Sequence, residues 1–316
     1  MLSQIVNSFR EYYWQQVSSL DARRLLEEKD RQDKFSIKLD GDNAVFLDFS
    51  KENIDEEGLK FFEAVMKDRN VEAKKKAMFD GQNVNFTEDK PAFHIALRAG
   101  LESKDIGGVD VAKEIKEVRS KVAEIAQEIR DGKRTGSTGK KFSCILNIGI
   151  GGSLLGLKSA YLALSGAKEL AKRADILEMR FIANVDPADF VTQTKGINWE
   201  STLVVVSSKT FTTIETILNM NLVREQIVSS IQKIDSSLKA DDIIAKQFLA
   251  STANPTNAAK AGIPEDSCFK FWDWVGGRFS VRKNNLGFKL MWNFAFGYRY
   301  GIRRSGSIPG WHEAYG

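Results

Sequence analysis

The sequence predicts a doubly wound α/β fold, a mostly parallel sheet preceded by an N-terminal helical segment. From Val109 onwards, short apolar runs typical of buried strands alternate with helical stretches. Two of these runs end in loops rich in glycine or in serine and threonine, and each loop opens into a helix. Domains of this class bind their ligands at such loops. Before Val109, helical spacing predominates.

Residues 1–115 form the first predicted segment, which is mainly helical. Asp21 is a usable N-cap for a helix that starts at Ala22, and Glu56 to Asp68 places its apolar residues at helical spacing. One short strand is predicted at Ala44 to Phe49. No linker rich in proline, serine or glycine separates this segment from the next.

Residues 116–281 form the second predicted segment, the α/β domain. Two of the predicted helices cover Ala112 to Arg130 and Thr213 to Ser230. The predicted buried strands are Phe142 to Ile148, Leu177 to Ile182, Thr202 to Val206, and Gln247 to Ala250. Strands that alternate with helices favour a parallel sheet covered on both faces. Residues 282–316 form a third segment, set apart by its density of aromatic and basic residues.

The composition indicates a globular protein and argues against a metal site, a disulfide and a membrane-spanning helix. Hydrophobic residues make up 42% of the 316 residues and charged residues 28%. Cys144 and Cys268 lie far apart and share no ligand spacing with His94 or His312, so we expect neither a metal site nor a disulfide. No apolar run has the ~20 residues of a membrane helix, and no signal peptide is visible, so we expect a cytoplasmic protein without a membrane partner.

The net charge of +4 does not indicate a nucleic-acid partner. Six lysines and arginines between Arg282 and Gly316 stand against Glu313 alone, so the rest of the chain is slightly acidic. Nucleic-acid binding needs a clustered basic face, and here that interpretation would rest on the last segment only. We therefore expect no nucleic-acid partner.

The first loop of interest, residues 147–156, follows the Phe142 to Ile148 strand and reads NIGIGGSLLG. Its glycines remove the β-carbons that keep a ligand away from the backbone, and Ser153 offers a hydroxyl at the start of a helix. A phosphate or a sugar hydroxyl fits there. The dinucleotide-binding pattern fails because Leu154 stands where it requires glycine. A tight strand-to-helix turn without a ligand is the alternative.

The second loop, residues 206–216, reads VSSKTFTTIET between a strand and a helix. It gathers several hydroxyls and one ammonium around free backbone N–H groups at the positive end of a helix dipole. This arrangement suits a phosphate dianion. A helix cap is the alternative, although capping requires only one hydroxyl.

The third loop, residues 271–281, reads FWDWVGGRFSV and presents Arg278 after two glycines in an aromatic setting. A guanidinium fixed in a water-poor pocket stabilises negative charge that develops on a substrate oxygen. A structural arginine in a turn is the alternative.

Together these loops, GIGGS, SKTFTT and GGRFS, resemble the signature segments of the glucose-6-phosphate isomerase family in order and spacing. Supporting matches are Asn85 to Arg98, similar to the family's NxTExRxxxHxALR stretch, and Ala183 to Asp186, similar to its xNVD segment. The resemblance covers roughly Met1 to Val281. It implies a fold of the sugar isomerase type, no metal or organic cofactor, and conversion of glucose 6-phosphate to fructose 6-phosphate in glycolysis and gluconeogenesis. The partner it implies is a small sugar phosphate, with a homodimer also expected.

Site residues follow from the resemblance position by position. The phosphate would be held by Ser208, Lys209 through its backbone, Thr210 and Thr213. Gly152 and Ser153 would line the sugar. Arg278 would lie beside the C1 and C2 oxygens and stabilise the cis-enediolate formed as a proton moves between those carbons. We expect Glu215, on the helix after the phosphate loop, to be structural.

The resemblance also implies what this sequence lacks. The family's catalytic base is a glutamate in a GExGTNGQH-type segment, and no such segment is present. Leu157 and Lys90 depart from the proline and arginine usual at their positions. We therefore expect a chain truncated after Val281, with weak activity. A sugar-phosphate-binding fragment without turnover is the second hypothesis. A regulatory domain with the same fold is the third, although it would not explain Asn85 to Arg98 or Trp272 to Ser280.

Overall fold

The computed structural model describes residues 4–15, 17–40, 44–97, 105–106, 108–165 and 177–282. The chain divides into two compact units, Met1–Asp80 and Gly81–Gly316. The three-segment division at residues 115 and 281 stays a prediction, and most of its third segment lies outside the described residues. None of the described helices is long and apolar enough to cross a bilayer.

The first unit is mainly helical and contains one β-hairpin. Its described helices and strands are α1 Gln4–Gln15, α2 Ala22–Leu25, α3 Arg31–Lys34, β1 Ser36–Leu39, β2 Val45–Asp48, α4 Glu56–Asp68 and α5 Val71–Phe79. The Asp21 carboxylate caps α2 by accepting a hydrogen bond from the Arg23 N–H, as the sequence predicts. The predicted strand is β2, and its antiparallel partner β1 was not predicted.

A buried arginine holds this unit together. The Arg31 side chain is 2% exposed and donates to the backbone carbonyls of Ser50, Glu52 and Ile54 at 2.7, 2.9 and 2.7 Å. Its guanidinium also lies 4.2 Å from the centre of the Phe35 ring. Arg31 therefore fixes the segment between β2 and α4.

The second unit contains the predicted parallel sheet. Its described helices and strands are β3 Asp105–Ile106, β4 Val109–Asp110, α6 Val111–Asp131, β5 Cys144–Ile148, α7 Leu155–Ser165, β6 Glu178–Ile182, α8 Pro187–Thr194, β7 Thr202–Ser207, α9 Ile214–Gln232, α10 Ala240–Gln247, β8 Phe248–Thr252, α11 Pro255–Lys260 and β9 Cys268–Lys270. Five of these strands form a sheet in the order β6-β5-β7-β8-β9, and every neighbouring pair is parallel.

Helices cover both faces of the sheet, which confirms the doubly wound prediction. Successive side chains of a strand point to opposite faces. Leu203 and Val205 of β7 pack in one core with α6 and α7, while Val204 and Val206 pack in another with α9 and α10. The pattern explains why the strands read as continuous apolar runs.

Candidate functional site

Three loops that follow parallel strands meet at the carboxyl edge of the sheet. They are residues 149–153 after β5, residues 208–213 after β7, and residues 271–278 after β9. From β5 the chain passes through α7 to β6 on one side, and from β7 it passes through α9 and α10 to β8 on the other. The crevice at such a change of direction is the usual ligand site of an open α/β sheet.

Glycines bring the first loop close to the backbone at the end of β7 and to the backbone of the third loop. A β-carbon on Gly149 would lie 3.1 Å from the carbonyl oxygen of Ser207. A β-carbon on Gly152 would lie 2.5 Å from the carbonyl carbon and 2.7 Å from the carbonyl oxygen of Gly277, the residue before Arg278. The loop then forms a short 3-10 helix, Gly151–Ser153, ahead of α7. These glycines are needed for the approach of the loops to one another.

The hydroxyl groups of the second loop are held by hydrogen bonds within the loop. Ser208 is buried, and its Oγ accepts a hydrogen bond from the Phe211 N–H at 3.1 Å and lies 3.4 Å from Thr213 Oγ1. Thr210 Oγ1 accepts from Thr212 Oγ1 at 2.7 Å. Phe211 has a left-handed φ of 56°, which lets its ring enter the core while the hydroxyls stay at the edge.

The N-terminus of α9 has no side-chain cap. Its N-cap residue, Thr213, makes no capping hydrogen bond, although the loop before it is rich in hydroxyls. The first amides of this 19-residue helix, at the positive end of its dipole, therefore keep their hydrogen-bonding capacity for an incoming anion. This observation weakens the alternative in which the loop is only a helix cap.

The third loop stands on an aromatic core and exposes its arginine. Trp272 and Trp274 are buried with Phe93, and the Phe93 N–H donates to the Trp274 carbonyl at 3.2 Å. Arg278 is exposed and belongs to the 3-10 helix Gly277–Arg282. The His94 and Phe279 rings stack next to it, with centroids 3.7 Å apart. The guanidinium therefore faces solvent, and the water-poor pocket expected from the sequence is not what the structure shows around Arg278.

The structure brings the predicted site residues to one edge of the sheet. Gly152 contacts the residue that precedes Arg278, Ser153 lies in the same loop as Gly152, and Ser208, Lys209, Thr210 and Thr213 form the neighbouring loop. Their roles in binding and catalysis stay predictions.

Two residues of this edge lie within the predicted loops but were given no role from the sequence, Asn147 in the first loop and Asp273 in the third. Asn147 is fully buried; its Oδ1 accepts from Ser207 Oγ at 3.3 Å, and its Nδ2 has no hydrogen-bond partner among the described residues. Asp273 accepts a hydrogen bond from Lys209 through its carbonyl. A polar residue in an otherwise apolar strand is a signal that could have identified Asn147. Nothing in the sequence indicates the Lys209–Asp273 contact.

Comparison with known proteins decides the family. The sequence model of the family described as phosphoglucose isomerase matches residues 48–300. The chain belongs to the phosphoglucose isomerase family. The match starts at residue 48 rather than at Met1, and it includes residues 282–300, beyond the Val281 limit expected from the sequence.

Relatives in the phosphoglucose isomerase family are similar in sequence to this chain over most of this chain's length. A glucose-6-phosphate isomerase of Deinococcus radiodurans is 39% identical over 80% of this chain, and a cytosolic glucose-6-phosphate isomerase of Spinacia oleracea is 36% identical over 84%. Each alignment covers 45% of the relative. A crystal structure of a glucose-6-phosphate isomerase from Chlamydia trachomatis superposes with a TM-score of 0.67 at 26% identity, over 94% of this chain and 53% of that one. The chain spans about half the length of these relatives.

Both cysteines lie away from the candidate site, and we expect them to be unreactive. Cys144 and Cys268 are the first residues of β5 and β9, at the opposite edge of the sheet. Burial raises the pKa of the Cys144 thiol to about 12 and that of Cys268 to about 11. A disulfide thiol reagent at pH 8 should label neither cysteine in the native protein and both in denaturant. Rapid labelling of the native protein would contradict the burial of these thiols.

The same shifts predict an alkaline loss of stability. The folded state holds the thiol protons more tightly than the unfolded state, where the pKa is near 9. The stabilisation is therefore complete below about pH 9 and is lost as the pH rises toward 11 and 12. Urea unfolding between pH 8 and pH 10.5 should show a shallower decline for Cys144→Ala than for the wild type. Equal slopes would contradict the prediction.

Proposed function

We propose that this chain binds a hexose 6-phosphate at the carboxyl edge of the sheet and takes part in the interconversion of glucose 6-phosphate and fructose 6-phosphate. This is the chemistry of an intramolecular oxidoreductase in glycolysis and gluconeogenesis. The observation that carries the proposal is the uncapped N-terminus of α9 beside a loop of hydroxyl groups. A phosphate dianion satisfies the free amides and accepts hydrogen bonds from the hydroxyls.

The phosphate end of the ligand is assigned to the second loop. Ser208, Thr210 and Thr213 donate through their hydroxyls, and Lys209 contributes its backbone N–H. Ser208 is already oriented, because its Oγ accepts from the Phe211 N–H and keeps its own proton for the ligand.

The sugar end of the ligand is assigned to the first and third loops. Gly152 and Ser153 line the sugar, and Arg278 lies beside the C1 and C2 oxygens. When a proton moves between C1 and C2, negative charge develops on these oxygens, and a guanidinium placed beside them stabilises it. The substrate's own carbonyl acidifies the proton, so the step needs a carboxylate base and neither a metal nor an organic cofactor.

The proposal leaves the base unassigned. Glu215 is exposed on the first turn of α9, and Asp273 is paired with lysine side chains. The cytoplasm as location and a homodimer as assembly belong to the same proposal. The relative in Spinacia oleracea is named as a cytosolic enzyme.

Binding of 6-phosphogluconate, an acid analogue of the sugar phosphate, tests the proposed site. Ser208→Ala removes a hydroxyl that donates to a charged group, which should weaken binding about 10- to 100-fold in calorimetric titrations. Ser229→Ala, on an exposed position of α9 far along the helix, is the matched control and should bind like the wild type. Equal affinities of the wild type and Ser208→Ala would refute the phosphate site.

A sugar-phosphate-binding chain without turnover is the second candidate function. The observation that favours it is that Glu215 is exposed on the first turn of α9 and Asp273 is paired with lysine side chains, so that neither is assigned as the base. A coupled assay of glucose 6-phosphate formation from fructose 6-phosphate separates the two candidates. Turnover that Arg278→Ala abolishes would support the isomerase. Tight binding of 6-phosphogluconate without turnover would support the second candidate.

A further inference from the structure

The side chain of Lys209 leaves the phosphate loop and reaches the loop that carries Arg278. Its Nζ donates a hydrogen bond to the backbone carbonyl of Asp273 at 2.6 Å and lies 3.9 Å from the Asp273 carboxylate. A short hydrogen bond from a charged donor is among the stronger polar contacts in proteins. The carboxylate contact is worth less, because the Asp273 side chain is 60% exposed.

Lys209 is also fixed through its backbone. Its carbonyl accepts hydrogen bonds from the Ala253 N–H at 2.9 Å and from Thr252 Oγ1 at 3.2 Å, at the end of β8. Lys209 itself follows β7, and Asp273 follows β9. One residue therefore connects the ends of three adjacent strands.

The Lys209 ammonium is already engaged by Asp273 through both the carbonyl and the carboxylate. A dianion that approached Nζ would also approach the Asp273 carboxylate and be repelled by it. That carboxylate is held in place by a second cation, since Lys90 Nζ lies 3.6 Å from its other oxygen. The Asp273 carboxylate thus lies between the ammonium groups of Lys209 and Lys90 and pairs with both.

We propose that Lys209 is a positioning residue for Arg278: its ammonium holds Asp273, and thereby the turn through Gly276 and Gly277, against the phosphate loop. It contributes no side-chain contact to the phosphate. The inference rests on the proposed function for the identity of the ligand. The link between the phosphate loop and the loop that carries Arg278 does not depend on which ligand the site binds.

Two ligands separate positioning from phosphate binding. Inorganic phosphate probes the hydroxyl loop alone, whereas 6-phosphogluconate also reaches the sugar end. In calorimetric titrations, Lys209→Met should bind inorganic phosphate within about twofold of the wild type and 6-phosphogluconate about tenfold more weakly. Adding Lys209→Met to Arg278→Ala should weaken 6-phosphogluconate binding little further, because both changes remove the same contact. A tenfold loss of inorganic phosphate binding, or additive effects in the double variant, would overturn the proposal.

Hydrogen exchange tests the link without any ligand. In Lys209→Met the amides of residues 272–279 should exchange about tenfold faster than in the wild type. Asp273→Asn keeps the carbonyl acceptor and should have a smaller effect. Lys246→Met, on an exposed residue next to the start of β8 at the other edge of the sheet, is the matched control. Unchanged exchange in Lys209→Met would overturn the proposal, whereas failure of wild-type protein to bind 6-phosphogluconate would refute the proposed function instead.

Discussion

Replacing Gly152 with alanine is expected to weaken 6-phosphogluconate binding at least ~100-fold. The new β-carbon would lie 2.5 to 2.8 Å from three backbone atoms of Gly277. Because the obstacle is backbone, no side chain can turn away, and the first and third loops must separate. Separation displaces the sugar-lining first loop as well as Arg278, and misplacement of positioned groups by about 1 Å can cost ~10²-fold. Calorimetric titration of the variant measures the loss.

Gly276→Ala is the matched control for this substitution. A β-carbon there would have its nearest contact with a ring carbon of Phe279 at 3.5 Å, an ordinary van der Waals distance. The same chemical change one residue before Gly277 should therefore have a much smaller effect. If both variants bind equally well, the close approach of Gly152 to Gly277 is not required for the site.

Arg31→Met is expected to destabilise the first unit by about 3–5 kcal/mol, since three hydrogen bonds from a charged donor are lost at ~1.5 kcal/mol or more each. Methionine has a similar length but donates no hydrogen bond, so the carbonyls of Ser50, Glu52 and Ile54 would lose the donor that now satisfies them. Urea unfolding, followed through hydrogen exchange of the amides of residues 44–68, measures the change. The second unit should keep its own exchange rates.

Lys34→Met provides the comparison in the same unit. Lys34 Nζ pairs with Glu56 at 2.6 Å, but both side chains are about half exposed. Surface pairs of this kind contribute little, so the variant should unfold almost like the wild type. An equal effect of the two substitutions would mean that burial of Arg31 is not what makes it important.

The sequence was sufficient to predict the central strands of the sheet. Val204 and Val206 face one core, Leu203 and Val205 face the other, and both environments select apolar residues. Strand β7 is therefore a continuous apolar run, which is typical of a strand buried on both faces and not of an exposed segment. Helix α4 was predicted with its observed bounds because its apolar residues recur at helical spacing.

Short strands at the margins were not predicted. Strand β9 has three residues, Cys268–Lys270, and exists through its pairing with β8. Strand β1, Ser36–Leu39, depends in the same way on its pairing with β2. Three or four residues show too little periodicity to be identified as a strand on their own. Each of these strands depends on its pairing partner, which is the next strand along the chain for β1 and precedes β9 by one short helix, α11.

The loops of the candidate site could be predicted from the sequence, but the contacts between the loops could not. Glycine, serine and threonine after buried strands mark the first and second loops in the sequence. The approach of Gly152 to Gly277 and the bond from Lys209 to Asp273 join positions more than 60 residues apart, as the separation of 64 between Lys209 and Asp273 illustrates. No local pattern encodes such pairs.

The order of the strands along the chain determines when the candidate site is completed during synthesis. Strands β5, β6, β7 and β8 leave the ribosome before β9, which pairs only with β8 at the margin of the sheet. Domains form from the N-terminal side as the chain emerges, at ~5–20 residues per second. The hydroxyl loop after β7 is therefore available to a nascent chain before the arginine loop exists. Once the residues up to Thr252 have left the ribosome, the nascent chain would present the proposed anion site before the loop that carries Arg278.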